Sequence, residues 1–123
     1  MCFKILKNYT KRQIAKENII CYKILQASIW VDMNPIRFIS MFRHFSYELN
    51  FEYTSPLKID RINHSEVHLG FHSYSTLDKA KKIFGGSRVF TLVECIIPSG
   101  AKYYYNPDRC EYVSDKIIIN KVI

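Results

Sequence analysis

The chain has 123 residues, 48% of them hydrophobic and 15% aromatic, with a formal net charge of +7. That length suits one domain, residues 1–123, and that apolar content excludes an intrinsically disordered chain. The basic residues are scattered, with small clusters at Lys11-Arg12 and Lys79-Lys81-Lys82, which argues against a dedicated nucleic-acid arm.

The four cysteines, Cys2, Cys21, Cys95 and Cys110, contain no Cys-x-x-Cys pair, so neither a zinc ribbon nor a thioredoxin-type motif is encoded. No apolar run resembles a signal peptide or approaches the roughly 18 residues of a membrane span. The expectation is a cytoplasmic protein without membrane contact, its thiols reduced and buried.

In chain order, Cys2 to Lys7 and Cys21 to Gln26 read as strands, with a short helical turn from a Thr10 cap through Glu17 between them. Residues 35–49 are ambiguous: Pro35 at a first helical position and Phe38, Phe42, Phe45 and Leu49 at helical spacing favour a helix, while Ile36, Phe38, Phe42 and Tyr47 among many β-formers also suit irregular or extended packing. Thr54-Ser55-Pro56 marks a turn. Val67 to Phe71 alternates as a strand. Ser75-Thr76-Leu77-Asp78 resembles a capping box before a helix whose apolar stripe is Leu77, Ala80, Ile83 and Phe84. Gly85-Gly86 stops that helix. Val89 to Ile97 is apolar enough for a central strand, and Pro98-Ser99-Gly100 breaks it. Ala101 to Tyr105 is a further strand, Asn106-Pro107-Asp108 a turn, and Lys116 to Ile119 a final strand. The sum is an α+β domain: a twisted, mostly antiparallel sheet, whole or split in two, with one to three short helices.

Several constellations invite chemistry. His64, His68 and His72 recur every four residues, but on a strand they spread over about 26 Å, too far for one metal. His64-Ser65-Glu66 imitates half of the zinc deaminase signature, whose Pro-Cys-x-x-Cys half is absent. A Cys–His nucleophilic pair could use Cys95 or Cys110, and nothing in the sequence favours it. Tyr103-Tyr104-Tyr105 suits either a base-stacking platform or an edge strand with one ring inward and two outward. No glycine-rich phosphate loop exists, which excludes a Walker or dinucleotide fold.

Residues 70–86 read GFHSYSTLDKAKKIFGG, residues 93–106 VECIIPSGAKYYYN and residues 111–119 EYVSDKIII. This order resembles the second half of the ADP-ribosyltransferase fold. There a Gly-Phe and a Ser-Thr-Ser strand precede an Ala-containing helix, a Pro-x-Gly-Ala turn and a last strand bearing the catalytic glutamate. The family's early aromatic-Arg pair corresponds to Tyr22-Lys23. The chain is also similar to short proteins of bacteriophages and Bacteroides-type bacteria, which share the Cys-Tyr-Lys and Ile-Pro-x-Gly-Ala-Lys-Tyr-Tyr blocks.

The resemblance implies a ligand site of Tyr22, Lys23, His72, Ser73, Tyr74 and Ser75, with Asp115 or Glu111 as the catalytic acid. A carboxylate there would stabilise the positive charge that develops on ribose as nicotinamide leaves NAD. Three departures stand out. Lys23 replaces the family arginine and loses its bidentate fork. Ser73-Tyr74-Ser75 replaces Ser-Thr-Ser, and Asp115, or Ser114 one residue away, takes the glutamate position. Together they imply a retained fold with altered or lost transferase chemistry. The expected protein binds a nucleotide, a nucleotide-derived signal or a host protein, in the host cytoplasm if viral, and acts against host defence. The alternatives are an active ADP-ribosyltransferase or NAD glycohydrolase, with NAD as ligand, and a nucleic-acid-binding module.

Overall fold

A computed structural model describes residues 3–4, 11–28, 37–40, 46–59, 66–86 and 90–123. In chain order the strands are β1 (Phe3–Lys4), β2 (Gln13–Ile14), β3 (Ile19–Ser28), β4 (Arg37–Ser40), β5 (Ser46–Tyr47), β6 (Glu52–Thr54), β7 (Lys58–Ile59), β8 (Glu66–Leu69) and β9 (Phe71–Tyr74). Helix α1 (Leu77–Phe84) follows, then β10 (Phe90–Ile97), β11 (Lys102–Asn106), β12 (Glu111–Ser114) and β13 (Lys116–Val122). The main sheet has the order β2-β11-β12-β9-β3-β10-β13-β6, with β4 and β5 branching from β3, and a smaller sheet is ordered β1-β8-β7. All pairings between these strands are antiparallel. A mostly antiparallel open sheet with one short helix among the described residues is compatible with the α+β class.

The centre of the sheet follows from apolar content. β10 runs antiparallel to β3 along its whole length, from Phe90 opposite Gln26 to Ile97 opposite Ile19. Val93, Cys95 and Ile97 are fully buried on one face of β10 and Leu92 is nearly so on the other. A strand covered on both faces has to be apolar on both, as this one is. The larger core gathers Cys21, Leu25, Phe71, Val93, Cys95, Ile97, Ile117 and Ile119 with Ala15 and Ala101. On the opposite face, Ala80 of α1 packs on Ile24 and Leu92, flanked by Tyr22, Tyr74, Leu77, Phe84 and Phe90.

The cap of α1 lies one residue later than the sequence suggests. Thr76, in extended conformation, is the N-cap, and its Oγ1 accepts from the Lys79 N–H at 3.2 Å. Ser75 instead ends β9, its N–H donating to the Cys110 carbonyl. Gly85 closes the helix as expected, at φ 60°, donating to the Lys81 carbonyl. Ile83, expected in the apolar stripe, is half exposed because an eight-residue helix has room for one buried turn, centred on Ala80. Thr76→Ala should cost about 1 kcal/mol of stability, a fall of about 4 °C in melting temperature by calorimetry.

Other expectations are corrected. Within the expected turn through Glu17, Gln13 and Ile14 form a strand along β11. Thr10 itself lies outside the described residues. The expected helix over 35–49 is replaced, where the chain is described, by β4 and β5. β4 lies along the far half of β3, with Leu25 opposite Ser40 and Ser28 opposite Arg37. Backbone pairing with an available strand edge outweighs the helical spacing of the phenylalanines, of which Phe42 and Phe45 lie outside the described residues. The single strand expected from Val67 to Phe71 is broken at Gly70, whose φ of 131° separates β8 from β9. β2 flanks β11 only at Lys102 and Tyr103, so among the described strands Tyr104 and Tyr105 pair on the β12 side alone, and the expected arrangement of one ring inward and two outward holds. Tyr104 is buried and the other two are half-buried. No helix among the described residues is long and apolar enough to cross a membrane.

Candidate functional site

A seam runs through the main sheet between β9 and β3. β9 is tied to β12 by four register pairs, but its register with β3 consists of Tyr22 opposite Tyr74. The Lys23 ammonium adds a second tie by donating to the His72 carbonyl. The residues singled out by sequence, Tyr22, Lys23, His72, Ser73, Tyr74 and Ser75, all flank this seam.

Successive strand residues point to opposite faces, so the seam residues divide into two groups. On the α1 side one register row runs Asn106, Glu111, Tyr74, Tyr22, Glu94, Lys121. His72, two residues from Tyr74, shares that face, and Tyr22, His72, Tyr74 and Glu111 are all partly open to solvent. Lys23 and Ser73 lie on the other face at 8% and 3% exposure, beside the fully buried Cys21 and Cys95.

The two faces differ electrostatically. Burial raises the Glu111 carboxyl above its ordinary range, while Arg109 and Lys79 pull it partly back. Burial also raises the Tyr74 hydroxyl, and the Glu111 charge adds to the rise. Rings, a carboxyl group and two cations therefore meet at one end of α1. On the inner face burial lowers the Lys23 amine, against the pull of Cys95 and Cys21. Glu94, at the end of the outer row, accepts from Asn120 Nδ2 at 2.7 Å and lies 4.0 Å from Lys121 Nζ.

The second candidate acid, Asp115, stands apart. Its Oδ1 accepts from the Lys102 N–H at 2.8 Å, and its own backbone pairs with Lys102 and Ser55. Four residues of strand, about 13 Å, separate it from Glu111. The structure thus brings Glu111, and not Asp115, to the seam. Ser114 is fully buried and donates to the Lys116 carbonyl at 2.9 Å. Ser75 Oγ lies 3.3 Å from the Tyr105 hydroxyl, at the margin of the inner face.

Tyrosine rings cluster there too. Tyr112 stacks on Tyr105 at 4.8 Å and meets Tyr103 edge-on at 5.7 Å. Burial, with Tyr105 next, pushes the Tyr112 hydroxyl up to about 12. A separate groove of about 560 Å³ lies at the far end of α1, lined by Lys81, Phe84, Gly86, Phe90, Thr91, Leu92 and Ile123. None of the seam residues reaches it. Among the described residues no three His, Cys, Asp or Glu side chains gather as metal ligands. His64 lies outside the described residues.

Sequence reasoning missed Lys79 and Arg109 as neighbours of Glu111. The one signal available was the short spacing from Tyr74 to Lys79, which brings the first turn of a helix back over the strand that precedes it.

Glu111 gives a pH prediction. Its raised value in the folded state means that the folded protein holds the proton more tightly than the unfolded chain. Its contribution to stability is therefore full below the ordinary carboxylate value of 4.5 and is lost as pH rises through the raised one. Glu111→Gln should melt above the parent at neutral pH, and the difference should vanish in acid. Thermal melts of both proteins across that range check it.

Comparison of the chain with protein-family models, with curated proteins and with solved structures returns no match.

Proposed function

We propose that this chain is a binding protein with an ADP-ribosyltransferase-like fold, which holds a nucleotide or nucleotide-derived signal against the Tyr22–Tyr74 face of the seam. One observation carries the choice of binder over enzyme. A transferase needs its cation, its serine and its acid around one cavity, whereas here Lys23 and Ser73 are buried on one face and Glu111 lies on the other. The half-open face retains what binding needs. Tyr22 and Tyr74 offer ring surface for a base, Lys79 and Arg109 offer charge for phosphate, and the Glu111 carboxylate can accept from a ribose hydroxyl or a base N–H. The resemblance of the Cys-Tyr-Lys and Ile-Pro-x-Gly-Ala-Lys-Tyr-Tyr blocks to short phage proteins supports a setting inside a host cell, where sequestering a signalling nucleotide would blunt a defence response.

Thermal shift with adenine dinucleotides, mononucleotides and cyclic nucleotides tests this. A ligand at a hundredfold its Kd stabilises by about 2.7 kcal/mol, which raises the melting temperature by about 10 °C. The shift should disappear in Tyr74→Ala and persist in Asp115→Ala. Nicotinamide released from labelled NAD, and abolished by Glu111→Gln, would make the chain an enzyme and end this reading. Oligonucleotide binding that weakens steeply with salt would instead favour the tyrosine cluster of β11 and β12 as a nucleic-acid surface.

A further inference from the structure

The inner face of the seam holds a feature that nucleotide binding does not use. Cys21 and Cys95 stand directly opposite each other in the β3–β10 ladder. Both are free thiols and both are fully buried. Facing residues of an antiparallel pair have Cα atoms about 4.5 Å or about 5.5 Å apart, depending on their place in the hydrogen-bond pattern. Both spacings fall inside the range of about 4.4–6.8 Å that a disulfide spans, so the backbone separation suits the bond. We infer that Cys21 and Cys95 form a redox-sensitive pair that closes to a cross-strand disulfide under a peroxide-class oxidant.

The surroundings make the two sulfurs unequal. Burial alone would raise the Cys21 thiol, but hydrogen bonds from Cys95 and Ser73 and the charge of Lys23 bring it below its ordinary range, against Glu94. Cys95 is pushed well above that range, first by burial and then by Cys21. Cys21 is therefore the thiolate that attacks, and Cys95 keeps its proton until the second step. Tyr112 on β12 also feels the Cys21 charge. The chemistry balances with hydrogen peroxide as oxidant. The Cys21 thiolate attacks one peroxide oxygen and becomes a sulfenic acid as the other oxygen leaves as hydroxide and is protonated to water. Cys95 sulfur then displaces the sulfenic hydroxyl as a second water, so two thiols give up two electrons and two protons.

Access comes through the seam. β9 meets this part of β3 through one register pair and the Lys23–His72 bond, against eight register pairs between β3 and β10, and a junction with so few ties opens locally at a smaller free-energy cost than global unfolding. Peroxide is little larger than water, and the opening exposes the polar groups of Lys23 and Ser73 beside the thiols. The resulting cross-link would lock the two central strands beneath Tyr22.

The test uses the unmodified chain. Native protein is treated with hydrogen peroxide, remaining thiols are alkylated in denaturant, and peptides are mapped by mass spectrometry without reduction. The expected product is an intramolecular Cys21–Cys95 link that dithiothreitol reverses. Recovery of both cysteines as alkylated thiols under conditions that oxidise Cys110 would overturn the inference, as would linkage of either one to Cys2 or Cys110. Lys23→Met tests the lysine's part separately. Loss of the ammonium should slow the reaction several-fold, and an unchanged rate would remove Lys23 from the mechanism.

Discussion

Alanine at Gly70 should be among the most damaging single-methyl additions this chain can receive. The residue sits at φ 131°, where a side chain is strained whatever the space around it. Space is lacking too. A Cβ would stand 2.6 Å from both Leu57 Cδ2 and Val113 Cγ2, and 3.2 Å from the Ser114 carbonyl. Leu57 could rotate away, but Val113 is fully buried against Tyr104, and the Ser114 backbone is held in register opposite Phe71. Backbone strain of about 1–3 kcal/mol and overpacking of similar size put the total at about 4 kcal/mol. That corresponds to a drop of about 15 °C in melting temperature. Urea titration should show a lower midpoint with unchanged slope. Gly100 provides the contrast, with a φ of 88° but nothing within 4 Å of a Cβ, so its alanine variant should lose the strain share alone. Equal losses at both glycines would mean that the crowding at Gly70 relaxes freely.

Lys23→Met should stabilise the protein, and the gain should depend on pH in a defined direction. The amine is buried and its folded value lies below the ordinary 10.5. Between the lowered value and 10.5 the unfolded chain binds more protons than the folded one, so the parent's stability climbs with pH across that window. Methionine fills similar volume without a charge and lacks the climb. Its advantage is therefore greatest at and below the lowered value and fades toward the lysine's ordinary one. Replacing buried charge by apolar volume gives at most about 1–4 kcal/mol, less about 1 kcal/mol for the lost bond to the His72 carbonyl. Melting curves over the alkaline range check the trend. Parallel profiles for parent and variant would mean that Lys23 keeps its proton in the core.

Much of this architecture was legible from local pattern. β3, β10 and β13 are runs of β-branched and apolar residues bounded by clear turns, and such runs in a small domain have few alternatives to a central strand. α1 announced itself through an apolar stripe and a glycine stop. What failed was local pattern opposed by long-range pairing. Phe38, Phe42, Phe45 and Leu49 have a spacing that suits a helix, yet residues 37–40 pair with the edge of β3 and 46–47 pair with them in turn. Tyr22-Lys23 and Ser73-Tyr74, distant in sequence, meet at the seam. Their division between two faces was available from sequence alone, because adjacent residues of one strand cannot line one surface. The sequence could not show which pair would be buried. That depends on Tyr22 and Tyr74 lying on the α1 side of the sheet while Lys23 and Ser73 share the face of the larger core.

The strand order has a consequence for biosynthesis. β2 finds its neighbour in β11, and β3 finds its full-length neighbour in β10. Much of the early chain therefore emerges from the ribosome with exposed strand edges and no partner yet made. Pairings this distant close slowly, and such edges invite association with other chains in the interval. Assembly of the sheet has to await nearly the whole polypeptide, so yield in the cell should depend more on chaperone supply than on translation speed.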